Sequence, residues 1–592
     1  MTLRSVKLLI VFTILTSLTS PALAAKKNLK IEVKTSKDLP IKKSLSDLAA
    51  DIEKLSKIYH TSDQVYYWSS EGKKSFTKLL RAEGFYASTI EVELANNMNA
   101  IIFHINHGPR YTIRDVAIKH AKDSNANINI QRLEDLKIKY GQSAIAQNII
   151  HTQDELLSYI EKNNCLLSLD VTHDATINHI DNTVSILFIV KAGPSATIED
   201  ITFSGLQDVK PKYIRKLMKL ENGQCFRRSE IEQARGFLQK SGLFSSTTPI
   251  IPEATNKDGS VPVMFNLKER KPRSLTAGAL YSTYLGIGAK FGWEHRNFYG
   301  NGEQVETSLT GNKKEQTFNA NYVHPFYKRD DQTLKLNFAM ENQRSKAFNS
   351  REQSAGGVIE RQLSDQWIIG TGGSFSYAKV KAKDITKNKY SALFSVPLFI
   401  SNDTRNNILN PRKGHVLNAS VDTFFSLNKE EQPFYKIQLS ASKYFLLSQT
   451  SRPVLALRGA VGSIQGDKLA KIPHTERFFV VGNNSLRGYA PQFAGNISDN
   501  NVPTGGRSFL ETTIELRLPI TSTIGMVGFL DSGYAYTNSM PANEKKILHG
   551  AGFGLRYITD FGPIRADIAF PLKRRKFIDK SYQLYFGIGQ SF

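Results

Sequence analysis

The chain has 592 residues, a net charge of +23, two cysteines and three tryptophans. Its length predicts several domains of ordinary size, and a mean hydropathy of −0.31 argues against a protein built from many membrane-spanning helices. Two cysteines are too few for a disulfide-rich scaffold. The positive charge permits contact with acidic surfaces such as nucleic acid or anionic lipid, and charge alone does not choose between them.

The first 24 residues have the pattern of a secretory signal peptide. Arg4 and Lys7 precede an apolar run over residues 8–18, and Ala22-Leu23-Ala24 has the form of a cleavage site. The run is about half as long as the ~20 apolar residues that a membrane-spanning helix needs. Residue 25 is alanine rather than the cysteine of a lipoprotein. We expect an exported protein, which argues against nucleic acid and leaves lipid or protein surfaces as partners.

Residues 25–270 contain two markers that recur about every 80 residues. The first follows a helical segment, where glycine, and less often asparagine, is typical of the left-handed residue that ends a helix. The second closes a strand-like run. The first marker is Gly84-Phe85-Tyr86, Asn164-Cys165-Leu166 and Gly242-Leu243-Phe244, and the second is Gly108-Pro109, Gly193-Pro194 and Lys271-Pro272. The pattern predicts three βααββ units, over residues 25–108, 109–193 and 194–270.

Residues 271–592 alternate between apolar and polar side chains with a period of two. In one such run, Ile514 and Leu516 alternate with Glu515 and Arg517. A soluble β-sandwich with one wet face is one interpretation. A closed barrel with an apolar exterior and a polar lumen explains both faces, because lipid tolerates no unpaired strand edge. At ~20 residues per strand and connection, the segment predicts an all-β transmembrane antiparallel barrel of about 16 strands.

The final residues form an amphipathic pattern. One parity is largely apolar and ends in an aromatic residue, and we expect it to face outward: Tyr582, Leu584, Phe586, Ile588 and Phe592. Such an ending resembles the signal by which barrels are recognised for insertion. An ordinary final strand would give the same pattern.

Short motifs make the chain resemble a known family. The most specific is Ser485-Leu486-Arg487-Gly488-Tyr489, and the second is Gly528-Phe529-Leu530-Asp531-Ser532-Gly533. With the repeats taken as POTRA domains, the chain is similar to the BamA/TamA superfamily of outer-membrane assembly proteins. Further matches are Arg477-Phe478-Phe479, Gly482, Trp293, Arg296-Asn297-Phe298, Gly300-Asn301-Gly302, Asn410-Pro411, Gly414, Gly562-Pro563-Ile564-Arg565 and Asp567.

The resemblance implies that the loop carrying Arg487 folds back into the barrel lumen. Phe529, Asp531 and Gly533 share a parity, so all three face inward if one does. A desolvated guanidinium without a charge partner is costly, and Asp531 offers two acceptor oxygens to a forked donor. The alternative is a solvated Arg487, with Asp531 paired to a neighbouring strand.

Three more residues belong to this predicted lumen lock. Glu515 matches a second acidic partner in the family. Gly488 permits a tight turn in the loop, and Tyr489 is expected to pack against Phe529. The sequence predicts a structural lock here and not a catalytic pair.

Closure of the barrel predicts a seam between its first strand, near Ser274 to Thr283, and its last, near Tyr582 to Phe592. Gly587 and Gly589 weaken the last strand through lost packing and added backbone freedom. We expect this seam to open laterally for client strands. Exposed sheet edges in the βααββ units can capture extended clients through main-chain hydrogen bonds.

Three repeats resemble the TamA branch more than BamA, which has five, or two-partner secretion transporters, which have two. The resemblance implies a translocation and assembly module in the outer membrane of a Gram-negative bacterium, with periplasmic POTRA domains. The implied partners are a TamB-like inner-membrane-anchored protein, unfolded outer-membrane clients such as autotransporters, and outer-membrane lipid. The alternatives are phospholipid transport to the outer membrane with the same partner, a passive porin or receptor, and a structural adhesin.

Cys165 and Cys225 fall in the second and third units. A bridge between different domains is less expected than two buried free thiols. No zinc helix, Walker loop, nucleophile elbow or Rossmann fingerprint occurs in the sequence. We therefore expect no enzymatic activity, no cofactor and no metal site.

Overall fold

The computed structural model describes residues 29–35, 39–56, 62–95, 98–122, 124, 138–282, 286–383, 388–428, 432–448, 452–480, 485–541, 547–559 and 562–592. The signal-peptide prediction for residues 1–24 lies outside the described residues, as do Thr283 and Gly482. None of the described helices has the length and apolar composition that a bilayer-spanning helix requires.

Two compact units divide the chain. The first comprises Met1–Ile201, Asn222–Ile231 and Ile251–Val263. The second comprises Thr202–Glu221, Glu232–Ile250 and Met264–Phe592.

The first small sheet has its last strand in the centre, in the order β1-β3-β2. Its elements are β1 (Lys30–Lys34), α1 (Lys42–Leu55), α2 (Ser62–Ala82), β2 (Thr89–Leu94) and β3 (Ala100–Asn106). β1 pairs with β3 in parallel and β2 pairs with β3 antiparallel. Phe76 of α2 and Phe103 of β3 meet with ring centroids 4.9 Å apart, in a core to which both helices contribute.

The second and third sheets repeat this arrangement, with orders β4-β6-β5 and β7-β9-β8. The second contains β4 (Thr112–His120), α3 (Ala146–Asn163), β5 (Leu169–Asn178) and β6 (Thr183–Ala192), with residues 125–137 outside the described part. The third contains β7 (Thr197–Ser204), α4 (Pro211–Met218), α5 (Arg228–Lys240), β8 (Phe244–Ile250) and β9 (Ser260–Glu269). The α+β prediction for this half is confirmed, and the first and third repeats show the full βααββ order.

The helix-ending markers behave as expected at two of three places. Gly84 and Gly242 follow their helices with φ of +88° and +72°. Asn164 was expected to do the same and does not, because its φ is −136°. Its side-chain amide instead donates to the carbonyl of Ile160 at 2.8 Å, which satisfies a terminal helix carbonyl without a left-handed residue.

A sheet of sixteen strands fills the rest of the chain, each strand pairing with the next one along the sequence. Every ladder between consecutive strands is antiparallel. The strands are β10 (Arg273–Ser282), β11 (Gly286–His295), β12 (Gln304–Asn312), β13 (Glu315–His324), β14 (Gln332–Arg344), β15 (Phe348–Gln362), β16 (Trp367–Ala382), β17 (Lys389–Asp403), β18 (Gly414–Ser426), β19 (Phe434–Leu446), β20 (Val454–Gln465), β21 (Ser508–Pro519), β22 (Ile524–Tyr536), β23 (Leu548–Thr559), β24 (Gly562–Pro571) and β25 (Gln583–Ile588).

The period-two pattern separates an outer face from a lumen. In β21, Glu515 and Arg517 are buried, whereas Ile514 is 48% and Leu516 39% exposed. This is the reverse of a soluble protein, in which charged side chains are almost never fully buried. The prediction of an antiparallel barrel with 16 strands is confirmed.

The last strand is shorter than the sequence predicted. β25 ends at Ile588, after which the N–H of Gly589 donates to Pro563 at 2.7 Å. The outward parity expected for Phe592 is wrong: Arg517 donates to its carbonyl at 3.1 Å, and its ring lies 6.1 Å from that of Tyr444. The buried Arg517 inside the barrel thus holds Phe592, whereas alternation alone placed Phe592 in lipid.

Cys165 and Cys225 form a disulfide, with Cα atoms 5.1 Å apart. The expectation of two free buried thiols is therefore wrong. The N–H of Ala196 donates to Cys165 at 2.8 Å, and the N–H of Phe226 donates to Ala196 at 3.0 Å. The segment around Ala196 thus lies between the two cysteine-bearing segments, which brings the half-buried sulfurs of the second and third repeats together.

Candidate functional site

Arg487 lies inside the barrel, 1% exposed, although it belongs to the connection between β20 and β21. Its Nε and Nη2 donate to the two oxygens of Asp531 at 2.7 and 2.9 Å, and its backbone N–H donates to the same carboxylate at 3.1 Å. The guanidinium carbon lies 3.4 Å from the ring centroid of Phe529, a stacked cation–π contact. On β22, Asp531 pairs with the positive charge of Arg487, and Phe529 fixes the plane of its guanidinium group.

Two further carboxylates reach the same guanidinium from other strands. Nη1 of Arg487 lies 2.8 Å from Glu515 on β21 and 3.3 Å from Asp567 on β24. Arg517 pairs with Glu515 at 2.9 Å, and Arg556 pairs with Asp567. We call this group the lumen cluster: Arg487, Arg517, Arg556, Glu515, Asp531 and Asp567.

The lumen cluster contains three guanidinium groups and three carboxylates, so its formal charges balance. All six side chains are buried. Removing one partner from a buried ion pair costs far more than replacing both partners with apolar residues, because the remaining charge stays desolvated and unpaired. The arrangement can therefore hold a surface connection inside the barrel with high specificity.

The backbone around Arg487 fits its place only with glycine at two positions. Gly488 has φ +99°, and a Cβ there would lie 2.9 Å from the carbonyl carbon of Phe570. Gly550 faces the loop from β23, where a Cβ would lie 1.9 Å from the carbonyl oxygen of Arg487. The N–H of Gly488 donates to the hydroxyl of Tyr585 at 3.1 Å. The loop thus contacts three of the last strands through its main chain.

Tyr489 does not stack on Phe529 as expected, because the guanidinium of Arg487 occupies that ring face. Tyr489 lies instead in an apolar cluster that includes Leu486 and Tyr534. Its hydroxyl lies 3.1 Å from the carbonyl of His549 and 3.2 Å from that of Lys573. Gly533 pairs with Glu511 across the β21–β22 ladder, one step beyond the lumen cluster.

The predicted seam has both of its strands at the edges of the sheet. β10 and β25 contact each other, yet within the described residues no ladder pairs them, whereas every other neighbouring pair has one. Ser274 pairs with Glu294 of β11 and accepts from Arg296 at 2.7 Å.

The other predicted seam residues lie in β25 or close to it in sequence. Tyr582 precedes β25 and is exposed. Gly587 lies opposite Arg565, where a Cβ would be 2.9 Å from Nε. Gly589 follows the strand, and Phe592 contacts Arg517.

Sequence reasoning missed three members of the lumen cluster. Asp567 matches the family motif without a predicted partner, and the sequence predicts no role for Arg517 or Arg556. One signal was available: Arg556 stands between Leu555 and Tyr557, each 56% exposed on the outer face. An isolated charge of lumen parity indicates a buried partner, but strand alternation does not tell which strand supplies it.

The motif at residues 296–302 forms a second arrangement, inside the second compact unit. Asn297 donates to the carbonyl of Asp208 at 3.1 Å and accepts from the N–H of Gly302 at 2.8 Å. The N–H of Lys210 donates to Gly300 at 2.8 Å. Tyr213 covers Gly302, where a Cβ would lie 2.2 Å from its ring. The turn between β11 and β12 is thus docked on residues 208–213.

This docked turn connects to the predicted seam. Glu269 accepts the N–H groups of residues 207–209 at 2.8 to 3.1 Å, which fixes the segment that the turn contacts. At the other side, Arg296 bonds Ser274 of β10 at 2.7 Å. Among the described residues, no group of three or more histidine, cysteine or acidic side chains is placed to hold a metal ion.

Two families match the chain. The "Omp85 superfamily domain" covers residues 297–592, and "Surface antigen variable number repeat", the POTRA family, covers residues 196–270. The outer membrane protein assembly factor BamA of Nitratidesulfovibrio vulgaris is 20% identical over 83% of this chain and 63% of its own length. Outer envelope protein 80 of Arabidopsis thaliana is 22% identical over 61% of this chain and 52% of its own length.

A SAM50-like protein of Schizosaccharomyces pombe is 21% identical over 67% of this chain and 90% of its own length. The chain spans about half to two thirds of the length of the BamA and outer envelope protein 80 relatives. In fold, it is similar to BamA from Haemophilus ducreyi lacking POTRA domains 1–3, with a TM-score of 0.63, 20% identity, and coverage of 80% of this chain and 99% of that one. The Omp85 match covers half of the sequence, and the chain belongs to the Omp85 superfamily.

Proposed function

We propose that the chain is a non-enzymatic outer-membrane factor that assembles or translocates other β-barrel proteins. The observation that carries the proposal is the sheet edge at β10 and β25, which touch without a ladder among the described residues. An unpaired edge is a template for an added strand. The names of the bacterial and yeast relatives, an assembly factor and a SAM50-like protein, support the same role.

In this proposal a client strand pairs with the edge of β10 while β25 moves aside. Main-chain hydrogen bonds accept many client sequences, since they do not depend on side-chain identity. Burial of client apolar surface in lipid supplies the driving force. The lumen cluster holds the connection around Arg487 against β22 and β24, so the strands next to the seam keep a fixed internal support while β25 opens.

We further propose a TamB-like partner and autotransporters among the clients, with the three small sheets in the periplasm. Three POTRA-type sheets support this branch. Co-purification of a long, inner-membrane-anchored protein with the full chain would support it. Co-purification of a multi-subunit assembly complex in its place would contradict it and leave the barrel-assembly proposal standing.

A disulfide across the seam tests the main proposal. One cysteine is placed on β10 and one on β25, in a chain whose native cysteines are already bridged. We expect client insertion to stop under oxidising conditions and to return on reduction. The control is an Ile514→Cys/Leu530→Cys bridge between directly paired positions of β21 and β22. Undiminished insertion with a quantitatively closed seam would overturn the proposal.

A further inference from the structure

The positive charge of the barrel collects at one end. β10 begins beside the end of β9 and runs away from it, so connections that follow β10, β12, β14 and β24 lie at the opposite end, here called the far end. We call three of these connections the basic rim: residues 312–315, 344–347 and 572–582. Together they contain nine lysine and arginine residues and two acidic residues.

Several cations of the basic rim face solvent. Lys346, Lys576 and Lys580 are exposed, and within the described residues none of them forms an ion pair. Asp579 is buried and held by Arg575 at 2.7 Å, so it neutralises Arg575 and leaves the three exposed lysines unpaired in the described part of the chain. A concentration of exposed charges of one sign raises the local concentration of counter-ions and of oppositely charged ligands.

The rim spans both sides of the seam. Lys314 and Lys346 follow β12 and β14, on the β10 side, whereas Lys580 precedes β25. Burial, followed by repulsion from Lys346 and Lys580, lowers the pKa of Lys314. The three connections therefore place positive charge at the far end on both sides of the seam.

Exposed apolar side chains lie on the same connection. Phe577 is fully exposed, and Leu572 and Tyr582 are 61% and 52% exposed. Cations interspersed with exposed aromatic and aliphatic residues are typical of surfaces that bind lipid headgroups and insert into the acyl boundary. An anionic lipid offers both groups a partner, since its phosphates attract the cations and its acyl layer buries the apolar side chains.

We propose that the basic rim binds a lipid that carries several phosphate groups, in the leaflet at the far end of the barrel and over the seam. The lysines contact the phosphates while Phe577 enters the apolar layer. This binding site does not depend on the proposed assembly activity. It would place an anionic lipid at the point where β25 has to move.

The test uses the full chain in detergent, with bound lipid measured by native mass spectrometry. The probes are bisphosphorylated lipid A, its monophosphorylated form, phosphatidylcholine and inorganic phosphate. Since each cation near an anionic surface contributes roughly fivefold, we expect Lys346→Gln/Lys576→Gln/Lys580→Gln to weaken the bisphosphorylated lipid by about a hundredfold. Phosphatidylcholine retention should not change.

Lys468→Gln is the matched control, since it removes an exposed far-end lysine on the connection after β20. Phe577→Ser tests the apolar contact, and should weaken both lipid A forms while leaving the preference between them. Equal retention of all lipids, an equal loss in Lys468→Gln, or displacement by inorganic phosphate at the lipid's own concentration would each overturn the proposal. Heat-modifiable electrophoretic mobility reports that every variant is folded.

Discussion

Arg487 and Asp531 are 44 positions apart in sequence and share three hydrogen bonds inside the barrel, two from the guanidinium and one from the backbone. The contact joins a connection at the far end of the barrel to the middle of β22. Glu515 and Asp567 also face Arg487. Without this side chain they keep Arg517 and Arg556, whereas Asp531 loses its arginine partner.

Arg487→Ala should therefore destabilise the barrel or its loop by about 3–5 kcal/mol, the cost of breaking a buried ion pair. Arg487→Lys should rescue poorly, since an ammonium cannot fork across both oxygens of Asp531 or stack flat on Phe529. Complementation of a deletion strain, together with heat-modifiable mobility, measures both effects. Equal activity of the two variants and the parent chain would contradict the lock.

Gly550→Ala should displace the loop without changing any charge. The new Cβ would lie 1.9 Å from the carbonyl oxygen of Arg487, so one of the two backbones has to move. Trypsin cleavage after Arg487, followed by peptide mass spectrometry, reports whether the loop leaves the lumen. Gly528→Ala on β22 is the matched control, because its Cβ would meet open space, and both variants resisting cleavage equally would refute the argument.

Removing the disulfide should loosen the junction of the second and third repeats. In Cys165→Ser/Cys225→Ser we expect faster amide hydrogen exchange at Ala196 and Phe226, whose N–H groups connect the bridged segments. The amide of Ile186, in the core of β6, should exchange at its original rate. Reduction of the parent chain should reproduce the change, and protection that persists at both amides would show that the backbone contacts suffice without the bridge.

Asn297→Ala should undock the turn between β11 and β12 from residues 208–213. It leaves the N–H of Gly302 and the carbonyl of Asp208 without this partner, at about 1–3 kcal/mol for buried polar groups. Exchange of the Lys210 amide, which donates to Gly300, reports the docking. Lys216→Ala breaks the more exposed pair with Asp330 and should change little, because surface ion pairs contribute about 0–1 kcal/mol.

Local sequence patterns predicted the secondary-structure elements well. They predicted the side-chain contacts between those elements less well. Alternation identified the lumen parity of Glu515, and the motif around Arg487 pointed to Asp531, because both depend on short stretches of chain. Arg556 and Asp567 lie on the neighbouring strands β23 and β24, but alternation gives neither the register of that pair nor the approach of Arg487 to Asp567 from another connection. Phe592 was misplaced because alternation continues past Ile588 in the sequence, whereas the strand ends there and Gly589 has a φ of +85°.

The prediction of two free thiols at Cys165 and Cys225 was wrong for a related reason. Its 60-residue separation crosses a repeat boundary, and the repeats were treated as independent bodies. The two cysteines meet because Ala196 forms hydrogen bonds to both cysteine-bearing segments, a contact that the sequence does not predict.

The bridge between Cys165 and Cys225 uses every cysteine in the sequence. A factor that meets unfolded polypeptides in an oxidising compartment would form mixed disulfides with cysteine-containing clients if it carried a reactive thiol. With both sulfurs engaged in one link, the chain has no thiolate to offer, so in the proposed assembly function clients would not become covalently trapped on it.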